Sequence, residues 1–235
     1  MTSLWFVTPA FGRYGLTDVC LDERRWVADY LAEKGIDVHC IVVAADDNLD
    51  IARTYGFDAF RRNNDWLGRK FNDGMQYAAE HGAEWIVPIG SDSWIHPDYF
   101  LPLPPTHRTR TSKKYSIVSA SKLGELKVGQ NGAGPYVFHR SLLGKAKFRP
   151  SADKINKGVD HSTIRGLPGI AWEFKDVNTH QYVGFRGRTH ISGWNTLWKH
   201  WGKAIHENHW KVLENYYPVR LVDKIRSNAT EWLIP

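Results

Sequence analysis

Three short apolar runs set the limits on this fold: Leu4-Trp5-Phe6-Val7, Val38-His39-Cys40-Ile41-Val42-Val43-Ala44 and Trp85-Ile86-Val87-Pro88-Ile89. Each is nearly continuous in apolar character and too short for a core helix, so each reads as a strand covered on both faces. Between the first two, Val19, Leu21, Trp26, Val27, Tyr30 and Leu31 recur at roughly helical spacing, with Thr17 as N-cap and Gly35 as stop. Between the second and third, residues 49–55 predict a short helix ended by Gly56, and Asp58-Ala59-Phe60 a brief strand. Residues 66–81 follow as an amphipathic helix with Leu67, Phe71 and Met75 on one face and Gly82 as its stop. Strand, helix, strand in this order implies parallel strands joined by right-handed crossovers. The first hundred residues therefore alternate like half of a nucleotide-binding doubly wound domain.

The three runs end in polar turns: Thr8-Pro9, Asp46-Asp47 and Gly90-Ser91-Asp92-Ser93. Ligands of open α/β sheets gather beyond such strand ends. Asp92 there suits a metal or phosphate site, and it also suits a turn in which the carboxylate bonds nearby backbone N–H groups.

Beyond residue 100, the proline-rich 102–105 and the basic run 107–114 read as a mobile surface connection. Residues 115–119 and 172–177 predict strands. The glycine-rich turn from Gly129 to Pro135 matches neither Walker A nor GxGxxG spacing, so it supports neither an ATPase nor a nicotinamide enzyme. The tail 195–235 reads as helical and tryptophan-rich, an extension that covers an acceptor side, braces the domain or mediates a homodimer. The expected division is a domain over 1–194 and a helical extension over 195–235.

With 235 residues and 42% apolar content, the chain can bury one sizeable core. Its net charge of +6 fits an anionic ligand or partner, a nucleotide or a nucleic acid. No run approaches the ~18 apolar residues of a membrane span, and the N-terminus shows no signal-like block, which sets the expectation of a cytoplasmic protein. Cys20 and Cys40 fall inside a predicted helix and a predicted strand, as reduced, buried thiols would.

The order of these signals resembles the GT-A nucleotide-sugar glycosyltransferases, in particular the inverting family 2, from residue 4 to about residue 170. The resemblance implies an α/β fold with a mostly parallel central sheet flanked by helices. The family's turn after the first strand is met by Pro9, Phe11 and Arg13, next to Thr8. Its acidic nucleobase and ribose site is met by Asp46, Asp47 and Asn48, with Asp50 following. Its G-x-x-x-N-x-G helix is met by Gly68-Arg69-Lys70-Phe71-Asn72-Asp73-Gly74. The metal-binding D-x-D falls on Gly90-Ser91-Asp92, with glycine in place of the first Asp. The glycine-rich turn before an aromatic and Arg pair resembles 132–140. The E-D motif, whose Asp is the catalytic base, falls on Val159-Asp160.

The resemblance thus implies transfer of a sugar from a nucleoside diphosphate donor, a UDP-sugar, to an unidentified acceptor hydroxyl of a glycan, protein or nucleic acid. It implies Asp160 as base and Mn²⁺ or Mg²⁺ at Asp92, with His190 as a further ligand and His180 as second choice. Arg69, Lys70, Arg186 and Arg188 form a cationic reserve if no metal serves. Each residue has a plainer reading beside this one. Asp160 can cap the helix that follows it, and His190 can be a hydrogen-bonded structural histidine. His206 and His209 read as helix-surface residues, and Asn72 and Gly74 can serve helix packing alone. Most tryptophans belong to the core, while Trp94, Trp194 or Trp198 could line an acceptor groove. A different class of function, a nucleic-acid-binding protein or a DNA-modifying glycosyltransferase, draws on the net charge and the basic stretch 108–114.

Overall fold

The computed structural model describes residues 2–127, 133–156, 159–167, 169–175, 179–187, 202–205 and 208–234. Its frame is the alternation read above: β1 (Thr2–Pro9), α1 (Tyr14–Ala32), β2 (Ile36–Ala44), α2 (Asn48–Thr54), β3 (Asp58–Arg61), α3 (Leu67–Glu80) and β4 (Trp85–Pro88). These four strands lie parallel, in the order β4-β1-β2-β3. Side chains alternate between the two faces of β1. Leu4 and Phe6 pack with Leu21, Val27 and Leu31 of α1, whereas Trp5 and Val7 pack with Phe71, Met75 and Ala78 of α3. A strand covered on both faces needs an unbroken apolar run, which is why β1 and β2 read so clearly.

The sheet continues past β4 through β9 (Ala133–His139), β6 (Arg108–Ser112) and β10 (Ala171–Phe174), to seven strands. β9 runs antiparallel to both neighbours, and β10 is parallel to β6. A second sheet of five strands joins β5 (Ser93–Ile95), β7 (Lys114–Val118), β8 (Leu123–Lys127), β11 (Tyr182–Phe185) and β12 (Gly202–Ile205) in the order β12-β8-β7-β11-β5. Its core includes Trp94, Val118, Leu123, Val183 and Phe185. They pack on Leu16, Val19 and Cys20 of α1, and on residues of α6 (His209–Glu214) and α7 (Val219–Ser227). Helix α1 is thereby buried on two sides, against the main sheet and against this second core.

Several expectations change here. The basic run is not a mobile connection: β6 lies inside the main sheet, with Thr109, Arg110, Thr111 and Ser112 all buried. The Arg110 guanidinium is neutralised by Glu173 of β10 and donates to the Tyr99 carbonyl at 2.8 Å. Thr17 does not cap α1. The helix starts one turn earlier, at Tyr14, behind a left-handed Arg13. The tail carries β12 as well as helices, and His209 is buried against Trp210 rather than lying on a helix surface. Trp94 is fully buried between Phe185 and Tyr217 and lines no groove. Trp194, Trp198, His206 and most of the glycine-rich turn lie outside the described residues. Cys20 and Cys40 are free and buried, as expected. No helix among the described residues is long and apolar enough to cross a membrane.

Candidate functional site

The C-terminal ends of β1, β2 and β4 meet at one edge of the parallel strands, and the segments leaving them are tied together by side chains. Asp46, just past β2, accepts the Gly12 N–H on Oδ2 at 2.8 Å. Its Oδ1 accepts from the Asn48 side chain at 2.7 Å and from the Asn48 N–H at 3.2 Å. Asn48 in turn donates to the Gly12 carbonyl at 3.1 Å. One carboxylate and one amide therefore fix the loop after β1 against the loop after β2. The neighbouring Asp47 is the residue from which α2 starts.

The loop after β1 also reaches β4. Arg13 Nη1 donates to Asp92 Oδ2 at 2.9 Å, across 79 positions of sequence. The backbone around this pair is shaped for it. Gly12 and Arg13 are both left-handed, with φ of 55° and 49°. A Cβ at position 90 would lie 2.5 Å from Asp92 Oδ1, so glycine lets the carboxylate fold back over its own loop. That contact gives a physical reason for glycine where the resemblance leads one to expect a second Asp.

Behind this loop stands a pair that sequence reading missed. Glu23 and Arg24, both fully buried in α1, are hydrogen-bonded to each other. Arg24 donates to the carbonyls of Ser93 at 2.9 Å and Gly90 at 3.1 Å, while Glu23 accepts the Ile95 N–H at 2.6 Å. Burial pushes the Glu23 carboxyl up to about 7, against the opposing pull of Arg24 and of the Ile95 N–H. Adjacent charged residues inside an apolar helix pattern were the only available signal.

Lys70 is 2% exposed, and its ammonium donates to the Ala10 carbonyl at 3.0 Å and to Asn64 Oδ1 at 2.7 Å. Burial lowers its pKa, opposed by the charges of Asp46 and Asp65. Lys70 thus braces the loop under Phe11, whose half-exposed ring it approaches at 5.8 Å. Thr8 is buried in β1 and accepts from the Cys40 thiol, and Pro9 ends the strand. Arg69 points outward and pairs with Asp65 at 3.4 Å. Two buried polar atoms at this edge, Asn48 Oδ1 and Ser91 Oγ, have no hydrogen-bond partner among the described residues. Buried polar atoms ordinarily have one, so both call for a ligand or a water.

Asn72 is joined to other partners. Its amide bonds Ser151 and Asp153, and Ser151 Oγ bonds Thr163 of α5 (Val159–Arg165) at 2.6 Å. Asp160 belongs to this helix, which is therefore placed relative to α3 through Asn72. His180 is buried in the second core, with Nδ1 2.8 Å from Ser116 Oγ and Tyr216 beside its ring. Arg186 is likewise buried, whereas Arg188 and His190 lie outside the described residues. A cavity of about 590 Å³ between α3 and α4 (Arg140–Gly144), lined by Gln76, Glu80, Arg140 and Lys147, shares none of its residues with the strand-end cluster.

The divalent cation expected at Asp92 does not fit the described donors. Gly90 supplies no carboxylate, Asp92 Oδ2 is engaged by a guanidinium, and no three His, Cys, Asp or Glu side chains among the described residues gather into a metal-binding group. A divalent ion also requires several oxygen or nitrogen ligands at once, which one carboxylate already paired with a cation cannot provide.

No protein-family model matches the sequence, and no curated protein matches it. Among solved structures, the chain is similar to Staphylococcus aureus TarS 1–349 in complex with UDP-GlcNAc, with a TM-score of 0.59 and 12% identity over 98% of this chain and 72% of that one. It is also similar to the same fragment in complex with UDP, with a TM-score of 0.59 and 14% identity over 80% of this chain and 61% of that one. Against the TarS 1–349 structure without a named ligand, it covers 60% of that chain's length. The fold is GT-A-like, with a mostly parallel central sheet flanked by helices.

Proposed function

We propose that this chain moves a sugar from a nucleoside diphosphate donor, a UDP-sugar in the first instance, to an acceptor hydroxyl with inversion at the anomeric carbon. The observation that carries the reading is the meeting of Asp46, Asn48, Arg13 and Asp92 at the ends of three parallel strands, beside two buried polar atoms that no group among the described residues satisfies. In this reading Asp46, Asp47 and Asn48 face the nucleoside, the exposed ring of Phe11 offers a surface to the base, Ser91 and Arg13 face the diphosphate, and Asp92 holds Arg13 in place. Lys70 holds the loop between them, and Asn72 holds the helix that carries the base.

The acceptor oxygen attacks the anomeric carbon from the face opposite the donor. The bond from that carbon to the diphosphate oxygen breaks, and its electron pair leaves with the nucleoside diphosphate. The acceptor proton passes to a carboxylate, assigned to Asp160 in the first turn of α5. The TarS complexes with UDP and UDP-GlcNAc support the choice of uridine nucleotides for the first trial.

The test is release of UDP from UDP-sugars, with and without glycan, protein or nucleic-acid acceptors, for the wild type and Asp160→Asn. The expected result is a loss of turnover of about 10²- to 10⁴-fold with UDP affinity retained. Undiminished turnover in the variant removes Asp160 as the base, and absence of binding to any nucleoside diphosphate overturns the reading itself. Of the basic stretch behind the nucleic-acid alternative, Arg110 is buried and paired, whereas Arg108, Lys113 and Lys114 are exposed.

A further inference from the structure

We propose that Arg13 is the cation that receives the departing diphosphate, held on Asp92 until nucleotide arrives, so that transfer proceeds without a divalent metal ion. The proposal rests on the sugar-transfer reading above and adds to it the source of positive charge.

Cleavage of the sugar–diphosphate bond leaves negative charge on a phosphate oxygen, and a fixed positive group must be in place to offset it. Arg13 is placed with unusual care for a surface arginine. Its φ of 49° and ψ of 40° are left-handed, a conformation unfavourable for a residue with a side chain that persists only where the surroundings impose it. Gly187 makes room for its stem, since a Cβ there would come within 3.3 Å of Arg13 Cδ. Gly90 makes room for its partner, the Asp92 carboxylate. An ordinary surface ion pair needs none of these arrangements.

The pair is sheltered yet reachable, with side-chain exposures of 23% for Arg13 and 13% for Asp92. A divalent ion approaching Asp92 would meet the guanidinium as a like charge. A diphosphate would instead compete with the carboxylate for that guanidinium, offering more charge and a geometry that the planar fork grips in two places. Helix α1 begins at the next residue without a side-chain cap, so the positive end of its dipole adds to the same place.

The experiment is calorimetric titration of UDP, GDP and uridine in EDTA and in Mn²⁺, using the wild type, Arg13→Met, Arg13→Lys and Asp92→Asn. The wild type is expected to bind UDP in EDTA with an affinity that Mn²⁺ leaves unchanged. Arg13→Met should lower UDP affinity by about 30-fold, as loss of a charge-assisted phosphate contact does, without altering uridine affinity. Arg13→Lys should recover part of the loss. Asp92→Asn, which releases the competing carboxylate, should bind UDP at least as tightly as the wild type. Binding that appears only with Mn²⁺, an equal loss of UDP and uridine in Arg13→Met, or abolition of UDP binding by Asp92→Asn would each overturn the proposal while leaving sugar transfer intact. If the wild type binds no nucleoside diphosphate under either condition, the sugar-transfer reading falls and takes this proposal with it.

Discussion

The side-chain amide of Asn72 bonds both backbone groups of Ser151: Nδ2 donates to the carbonyl at 2.7 Å and Oδ1 accepts the N–H at 3.0 Å. Ser151 is 5% exposed, so replacing Asn72 with Ala strands a buried donor and a buried acceptor together. Asn72→Ala is expected to lower unfolding free energy by about 2–4 kcal/mol in urea titrations. Because Ser151 also holds Thr163, turnover should fall further than UDP affinity does.

Gly74 lies where α3 crosses β1. A Cβ there would stand 2.4 Å from Val7 Cγ1 and 3.1 Å from Val43 Cγ2, both on buried, branched side chains with little freedom to move. Alanine improves helix propensity by up to about 1 kcal/mol, but overpacking of this kind costs about 1–3 kcal/mol. Gly74→Ala should therefore melt lower than the wild type, and adding Val7→Ala should recover part of the loss.

The Glu23–Arg24 pair makes an asymmetric prediction. Arg24→Met leaves a buried carboxylate without its partner and should cost about 3–5 kcal/mol. Glu23→Gln keeps an acceptor for the Ile95 N–H and should cost about 1–2 kcal/mol. The folded-state pKa of Glu23, about 7, lies above its ordinary 4.5, so the folded chain binds this proton more tightly than the unfolded chain does. Its contribution is fully present below about pH 4.5 and is lost as the pH rises to about 7. Stability curves of the wild type and Glu23→Gln, measured across that window, should differ by this slope.

Asp46 is expected to behave unlike Arg13. Asp46→Ala removes the bonds that hold the Gly12 loop and Asn48, so uridine and UDP affinities should fall together, by about tenfold. A loss confined to UDP would move Asp46 from the nucleoside to the phosphate side.

The parallel half of the fold was legible because strands covered on both faces leave little room for polar residues, as Leu4–Val7 and Ile41–Ala44 show. The strand ends were legible for the same reason, since Asp46 and Asp92 interrupt otherwise apolar segments. What escaped depends on partners far away in the sequence. Arg110 marks a solvated loop until Glu173, 63 positions later, is known to neutralise it. The Arg13–Asp92 pair spans 79 positions, and Arg24 reaches Ser93 across 69, with no local pattern to announce either. The second sheet was unreadable as a unit because β5, with three residues, and β11, with four, are too short to show periodicity.

Trp232 of α8 (Ala229–Trp232) presses its indole against Gly15, where a Cβ would lie 2.3 Å from the ring, and its neighbour Leu233 pairs with Gly187. Two sequence-remote glycines flanking Arg13 are thus gripped from the far end of the described chain. Removing Trp232 and Leu233 would loosen the seat of the guanidinium from behind, so that loss would be felt first as poorer capture of phosphate rather than as a misfolded sheet.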